Sequence, residues 1–202
     1  MKEGILGGTF DPIHNGHLEV AREARTRLGL DKVLFVPASC PRLRETGPVA
    51  TPEQRVRMVR LAIGDVPYYD LSTVEIERPG PSCSVDTVAE LADQISPADE
   101  LFLILGWDNL AELPRWREPA RLIKLCRVVA VPRPGYVLPD LEALQRKVPG
   151  LKERVILLDG PHIDLSASEI RRRVSRGLSI AHLVPAPVAD YIREQRLYLD
   201  LD

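Results

Sequence analysis

Unbroken apolar runs and helically spaced apolar positions take turns along this chain. Ile5-Leu6 leads into a glycine pair, Lys32–Pro37 is apolar from Val33 to Val36 and stopped by proline, 101–105 is apolar throughout, and 128–131 is closed by Pro132. Runs without alternation suit strands covered on both faces, as in a parallel sheet. Segments 71–76 and 155–158 read as further strands. Between the runs, 18–25 carries apolar residues at helical spacing, and Thr51-Pro52-Glu53-Gln54 reads as an N-cap with proline at the first helical position, the helix continuing through Met58, Leu61 and Ala62. Ser84 is placed to cap a helix over 85–92, Leu141–Lys147 has a helical pattern, and from Ser166 onward the chain is helical with breaks at Gly177 and Pro185-Ala186-Pro187.

Strand-helix alternation with right-handed crossovers predicts an α/β fold, a Rossmann-like doubly wound, mainly parallel sheet with helices on both faces and a helical C-terminal part. A single domain over 1–202 is expected, with the C-terminal helical subregion at about 166–202. The 202 residues are 45% hydrophobic, enough for a sizeable core. A formal charge of −2 gives no overall pull toward nucleic acid or an anionic membrane, so a polyanionic ligand would fall to local arginines. Cys40, Cys83 and Cys126 form no C-x-x-C, which argues against a disulfide framework or a structural zinc. No basic-then-apolar start and no run of membrane-spanning length is present, so a cytoplasmic location is expected.

Three stretches carry chemistry. In Gly7-Gly8-Thr9-Phe10-Asp11-Pro12-Ile13-His14-Asn15-Gly16-His17, two glycines let backbone pass close to a ligand, and the following helix start offers free N–H groups and the positive dipole end to an anion. His14 and His17, three positions apart, share one side of that helix start. In Asp164-Leu165-Ser166-Ala167-Ser168-Glu169-Ile170-Arg171, Ser166 and Glu169 read as a capping box; Ser168 and the run Arg171, Arg172, Arg173 and Arg176 would suit a second phosphate cluster, with at least two of the four arginines only a solvated face. Gly106-Trp107-Asp108-Asn109-Leu110 follows the strongest strand, where an aspartate can accept ribose hydroxyls and a tryptophan offers a flat face to a heteroaromatic ring.

His14-Asn15-Gly16-His17 resembles the (H/T)xGH signature of the nucleotidyltransferase superfamily, and the longer GGTFDPIHNGHL is similar to the nicotinate-nucleotide adenylyltransferase family. The likeness extends from about residue 4 to 198: Asp164–Arg171 resembles ISSTxIR with Ala167 and Ser168 as departures, Gly106 to Trp116 resembles GxDxLxxxxxW, 81–87 resembles PSYTxDT with departures at Cys83 and Ser84, Arg133–Tyr136 matches RPGY, Arg55 and Met58 match RxxM, and Leu197-Tyr198 fits the family's tail. The loop written PPHK in the family stands here as Pro41-Arg42-Leu43-Arg44.

The resemblance implies transfer of AMP from ATP to nicotinate mononucleotide, with no nucleic acid or membrane partner and with a homo-oligomer left open. It implies His14, His17 and Arg171 as the catalytic set. ATP would be held by Gly7, Gly8, Thr9, Phe10, His14, His17, Arg44, Gly106, Asp108, Leu165, Ser166, Ser168 and Arg171. The nicotinate nucleotide would be held by Thr87, Asp108, Trp116 stacking on the ring, and Arg133, while Trp107 packs. No protein metal ligands are implied; Mg²⁺ would come bound mainly through the ATP phosphates. Other acceptors (nicotinamide mononucleotide, phosphopantetheine), a non-catalytic nucleotide sensor and a synthetase-like activating enzyme stay open. A dinucleotide-dependent dehydrogenase is disfavoured because no G-x-G-x-x-G follows the first strand.

Overall fold

The computed structural model describes residues 1–39 and 48–199. Its elements run β1 (Lys2–Gly8), α1 (Asn15–Leu28), β2 (Lys32–Pro37), α2 (Pro52–Ile63), β3 (Tyr69–Leu71), α3 (Val74–Glu77), α4 (Ser84–Ala92), β4 (Glu100–Gly106) and α5 (Trp107–Glu112). A 3₁₀ turn (Leu113–Arg115) leads to α6 (Pro119–Leu125), β5 (Arg127–Val131), α7 (Leu141–Lys147), α8 (Leu151–Arg154), β6 (Val155–Leu157), α9 (Ala167–Ser175) and α10 (Ala186–Glu194). All six strands lie parallel in one sheet, in the order β3-β2-β1-β4-β5-β6. The chain moves outward from β1 to β3, returns to the other flank of β1 as β4, and moves outward again. That reversal is the expected doubly wound pattern, and it opens a crevice beyond the carboxyl ends of β1 and β4.

The unbroken apolar runs are explained by which face each residue serves. Successive side chains of a strand point to opposite faces. Val33, Phe35, Phe102, Ile104 and Val129 enter one core with Ala21 and Ala24 of α1, Met58 of α2, and Val188 and Ile192 of α10. Leu34, Val36, Leu101, Leu103 and Val128 enter the other, with Val85 and Val88 of α4, Leu122 of α6 and Leu151 of α8. Helix α2 starts as the sequence indicates, with the Gln54 N–H donating to Thr51 Oγ1 (3.3 Å) and the Thr51 N–H to Gln54 Oε1 (2.9 Å). Among the described residues no helix is long and apolar enough to cross a membrane.

The strand expected at 71–76 is instead β3, which ends at Leu71, followed by the single turn of α3. Continuing the register, in which Phe35 pairs with Leu71, would set Thr73 opposite Pro37, which has no N–H for the ladder. The turn carries Glu75 inward, where it is buried. Ser84 does not cap α4: it is the first helical residue, and Cys83, with extended backbone at φ −127°, stands at the N-cap with no side-chain capping bond. Helices α5 and α8 are too short to show a helical period in the sequence, and α6, as long as α7, is not among the expected elements.

Candidate active site

The cleft at the crevice has a volume of about 680 Å³, within the roughly 300–1,000 Å³ of small-molecule sites. Gly7, Gly8, Thr9 and Phe10 form its floor at the end of β1. A Cβ added at Gly7 would meet no protein atom within 4 Å, so a side chain there would take up cleft space rather than collide with protein. At Gly8 a Cβ would come 2.9 Å from the Phe10 ring. Phe10 is buried in the left-handed region (φ 50°), a conformation a non-glycine residue keeps only when its surroundings hold it there.

The two histidines stack, ring centroids 3.7 Å apart and planes 25° apart, with Phe10 edge-on to His17 at 5.0 Å. The His14 N–H donates to His17 Nδ1 (3.2 Å). That bond assigns Nδ1 as an acceptor, so the neutral His17 ring carries its proton on Nε2. Burial first, and the Arg133 charge second, push the His14 imidazole down to about 4. His14 is therefore neutral near pH 7, and its buried Nδ1 has no hydrogen-bond partner among the described residues. A Cβ at Gly16 would come 2.9 Å from that nitrogen, so glycine is what lets the ring lie over the helix start. The expectation of free helix-start amides narrows. The Asn15 N–H bonds Leu183 O and the His17 N–H bonds His14 O, both at 2.9 Å, leaving Gly16, which lines the cleft, as the opening amide.

Across the crevice, Gly106 and Arg133 line the cleft, while Asp108 sits behind them. The Arg133 guanidinium donates to Asp108 Oδ2, and the buried Oδ1 has no partner among the described residues. A Cβ at Gly106 would collide with Asp108 Oδ1, so this strand-end glycine makes room for the carboxylate to fold back. Half-buried Trp116 lines the cleft between Arg115, paired with Glu112 (2.6 Å), and Arg117, paired with Asp86 (2.9 Å). Trp107 packs on the second core, and its residue is not part of the described cleft wall.

Leu165 and Ser166 reach the cleft at the start of α9, but Ser168 and Arg171 do not line it. Arg171 Nη1 donates to the Asp11 carbonyl (2.7 Å) and Nη2 to Ser168 Oγ (3.3 Å). The capping box is only half formed. Ser166 Oγ accepts from the Glu169 N–H (3.2 Å), whereas the Glu169 carboxylate pairs with Arg172, a charge-assisted partner that outcompetes a neutral backbone N–H. Arg172 and Arg176 are exposed, and Arg173 Nε donates to Ser179 O (3.0 Å). Thr87 is buried away from the cleft wall: its hydroxyl donates to Glu75 Oε1 (2.6 Å) and accepts from Arg78 Nη1 (3.2 Å). Arg44 lies outside the described residues, as do Arg42 and Leu43.

Several wall residues had no sequence signal. Glu75 was hidden in an apparent strand, and Pro161 and Ile163 in a featureless loop. Arg115 and Arg117 were visible only as charges flanking Trp116. Arg55 is fully buried, with Nη1 donating to Thr9 O (2.8 Å) and Ala38 O (2.6 Å) and Nη2 to Ser39 O (3.3 Å). One guanidinium thus ties together the chain leaving β1 and the chain leaving β2.

A family model described as cytidylyltransferase-like matches residues 5–173. The chain is 48% identical over 198 residues to a protein of Dehalococcoides mccartyi called probable nicotinate-nucleotide adenylyltransferase, covering 98% of this chain and 97% of that one. It is 48% identical over 195 residues to a protein of the same description from a Roseiflexus species, covering 96% of each. It is also similar to the solved structure of Plasmodium falciparum nicotinic acid mononucleotide adenylyltransferase complexed with NaAD, with TM-score 0.78, 19% identity, and coverage of 98% and 97% of the two chains. At that identity the likeness is one of fold.

Proposed function

Because the chain belongs to the cytidylyltransferase-like family, and within it to the nicotinate-nucleotide adenylyltransferases, we propose that its cleft transfers AMP from ATP to nicotinate mononucleotide, giving nicotinate adenine dinucleotide and pyrophosphate. The observation that carries this reading is the stacked histidine pair beside Gly7 and Gly8 at the sheet's switch point, in a cleft that extends to Trp116. A 5'-phosphate oxygen of the acceptor attacks the α-phosphorus in line, the bond from that phosphorus to the bridging oxygen breaks, and pyrophosphate leaves with the electron pair. Such a transfer needs positioning and charge stabilisation and no side-chain nucleophile.

In this reading the Nε2–H of His17, one N–H of neutral His14 and the Gly16 amide would meet the α-phosphate oxygens. Asp108 Oδ1, with no partner among the described residues, would accept a ribose hydroxyl once Arg133 turns aside to open it to the cleft. Trp116 would stack on the pyridine ring, Arg133 would meet a substrate phosphate, and Ser168 with Arg171 would serve the distal phosphates once Arg171 turns from its present partners. Thr87 would act through Glu75 rather than by touching the ring. The acidic groups nearest the phosphate turn are already engaged, Asp11 by Val49, Ala50 and Tyr198 and Asp108 by Arg133. That donor set fits Mg²⁺ carried on the ATP phosphates, where it supplies charge neutralisation.

The direct test supplies ATP, Mg²⁺ and, in parallel, nicotinate mononucleotide, nicotinamide mononucleotide or phosphopantetheine, and measures pyrophosphate. Release with the nicotinate nucleotide is the expected result, and release only with another acceptor would reassign the substrate.

The neutral state of His14 has two measurable consequences. Its folded value of about 4 lies below the ordinary 6.5, so in that window the unfolded chain binds more protons and stability falls as pH falls. The loss reaches about 2 kcal/mol by pH 5, and a His14→Asn variant should lack this part of the slope in melting experiments at pH 7 and pH 5. ATP phosphates beside the ring would favour its charged form, so binding at pH 5 to 6 should take up protons. Calorimetry in buffers of different ionisation enthalpy reads that uptake, and equal uptake by His14→Asn would exclude His14 as its source.

A further inference from the structure

Two motifs of the sequence, Arg55 with Met58 and the tail Leu197-Tyr198, have no part in the reaction as described, yet both converge beneath the catalytic turn. They meet at Asp11, which is 2% exposed. Asp11 Oδ1 accepts from the Tyr198 hydroxyl (2.8 Å) and from the Ala50 N–H (3.1 Å), and Oδ2 accepts from the Val49 N–H (2.8 Å). The Tyr198 hydroxyl also lies 4.0 Å from Met58 Sδ. On its other side Asp11 holds Arg171: Nη1 bonds the Asp11 carbonyl (2.7 Å) and stands 3.7 Å from Oδ2. Asp11 is three residues before His14. A tyrosine near the chain's last residues is thus one hydrogen bond from the turn that carries the histidines and two from the arginine assigned to the leaving group.

We propose that Tyr198 is a positioning residue for the ATP phosphate site, acting through Asp11 on Arg171. The proposal rests on the reading of Arg171 as a phosphate ligand. An Asp11 carboxylate with three donors is fixed in one orientation, and a fixed Asp11 sets where the Arg171 guanidinium waits and how far it must turn to meet a phosphate. Removing the hydroxyl leaves one backbone donor on each carboxylate oxygen and takes away the one side-chain donor, so Asp11 is held less tightly and the arginine's starting place is less sharply defined. Two further observations agree. Tyr198 and Arg196 both adopt left-handed backbone (φ 63° and 53°), which non-glycine residues keep only where other contacts impose it. Burial, then the Asp11 charge, then the hydrogen bond hold the Tyr198 phenol far above its ordinary value, so it remains a donor at any working pH.

The test is Tyr198→Phe, which keeps the ring and removes one oxygen, made alone and together with Arg171→Ala in the full chain. ATP binding without acceptor is measured by calorimetry well below each variant's melting temperature, along with nicotinate mononucleotide binding. Tyr198→Phe alone should weaken ATP binding by about 2- to 30-fold, the range of substitutions that act through a packed network, and leave the mononucleotide constant unchanged. In the Arg171→Ala background it should weaken ATP binding no further, the non-additivity expected of residues acting through one path. An unchanged ATP constant with a lowered melting temperature would make the tail purely structural and overturn the proposal. So would a full additional loss in the double variant. Because ATP binding is the readout, a wild type that bound ATP but released no pyrophosphate would sink the proposed reaction and leave this comparison standing.

Discussion

Replacing His17 with alanine is expected to lower turnover by about 10²–10³, the usual effect of removing one preorganised donor to a developing oxyanion, or about 2.7–4 kcal/mol. The preorganisation has a structural basis. The ring is stacked on His14 and edge-on to Phe10, and Nδ1 accepts the His14 amide, so Nε2–H is already the donor before substrate arrives. Charge building on the α-phosphate meets a ring already oriented by these contacts, and so the effect should fall on kcat more than on the KM for ATP. His17→Ala also takes the acceptor from the His14 amide, which costs about 1–3 kcal/mol of local stability. His17→Asn, which can keep an acceptor toward that amide, separates the two losses. Near-normal turnover in the alanine variant would remove this histidine from the chemistry.

A preference for nicotinate over nicotinamide mononucleotide is the other large effect expected. The ring carboxylate accepts hydrogen bonds only, while the amide presents an NH₂ that needs an acceptor. At the Trp116 end of the cleft the donors are the start of α4 at Ser84 and the guanidinium groups of Arg115 and Arg117. Glu75 is the opposing group: its buried carboxylate lines the same wall and could accept from an amide. One of its oxygens already takes the Thr87 hydroxyl at 2.6 Å, and two guanidinium groups outnumber it, so the carboxylate should win. Leaving a buried polar group unpaired costs about 1–3 kcal/mol, which sets a preference of at least roughly tenfold. A site built around hydrogen bonds reaches about 10⁴. Equal kcat/KM for the two nucleotides, measured side by side at saturating ATP, would count decisively against it.

Features written in local chemistry were legible in the sequence. The bounds of β2 and α7 follow from where apolar or helical periodicity begins and stops, and the Thr51 cap from a short polar signature. The glycine–histidine turn could be read because each residue type has a reason to stand there: no side chain at Gly7 and Gly8, and imidazole at His14 and His17. What could not be read depends on partners distant in sequence. The RxxM match marks Arg55 but not its task, which shows only when three backbone carbonyls are found around it, and nothing near Asp11 announces a tyrosine 187 residues away. Glu75 was misread because an edge strand's length is set by its neighbour, here by Pro37, and not by its own pattern.

The division of the sheet's side chains between two cores bears on how the protein is made. The core containing Leu122, Ile123 and Leu151 draws its helices from the middle of the chain, so it can close while the end is still in the ribosome. The core under α1 and α2 cannot, because Ile170, Val188, Ile192 and Leu197 belong to it and are synthesised last. At roughly 5–20 residues per second, the apolar faces of α1 and α2 wait on the order of 10 s or more in solvent for α9 and α10. That is the interval in which a nascent chain exposes the most to aggregation and to chaperones. A chain arrested shortly before α10 should therefore be degraded by protease across its first helices while its central segment resists.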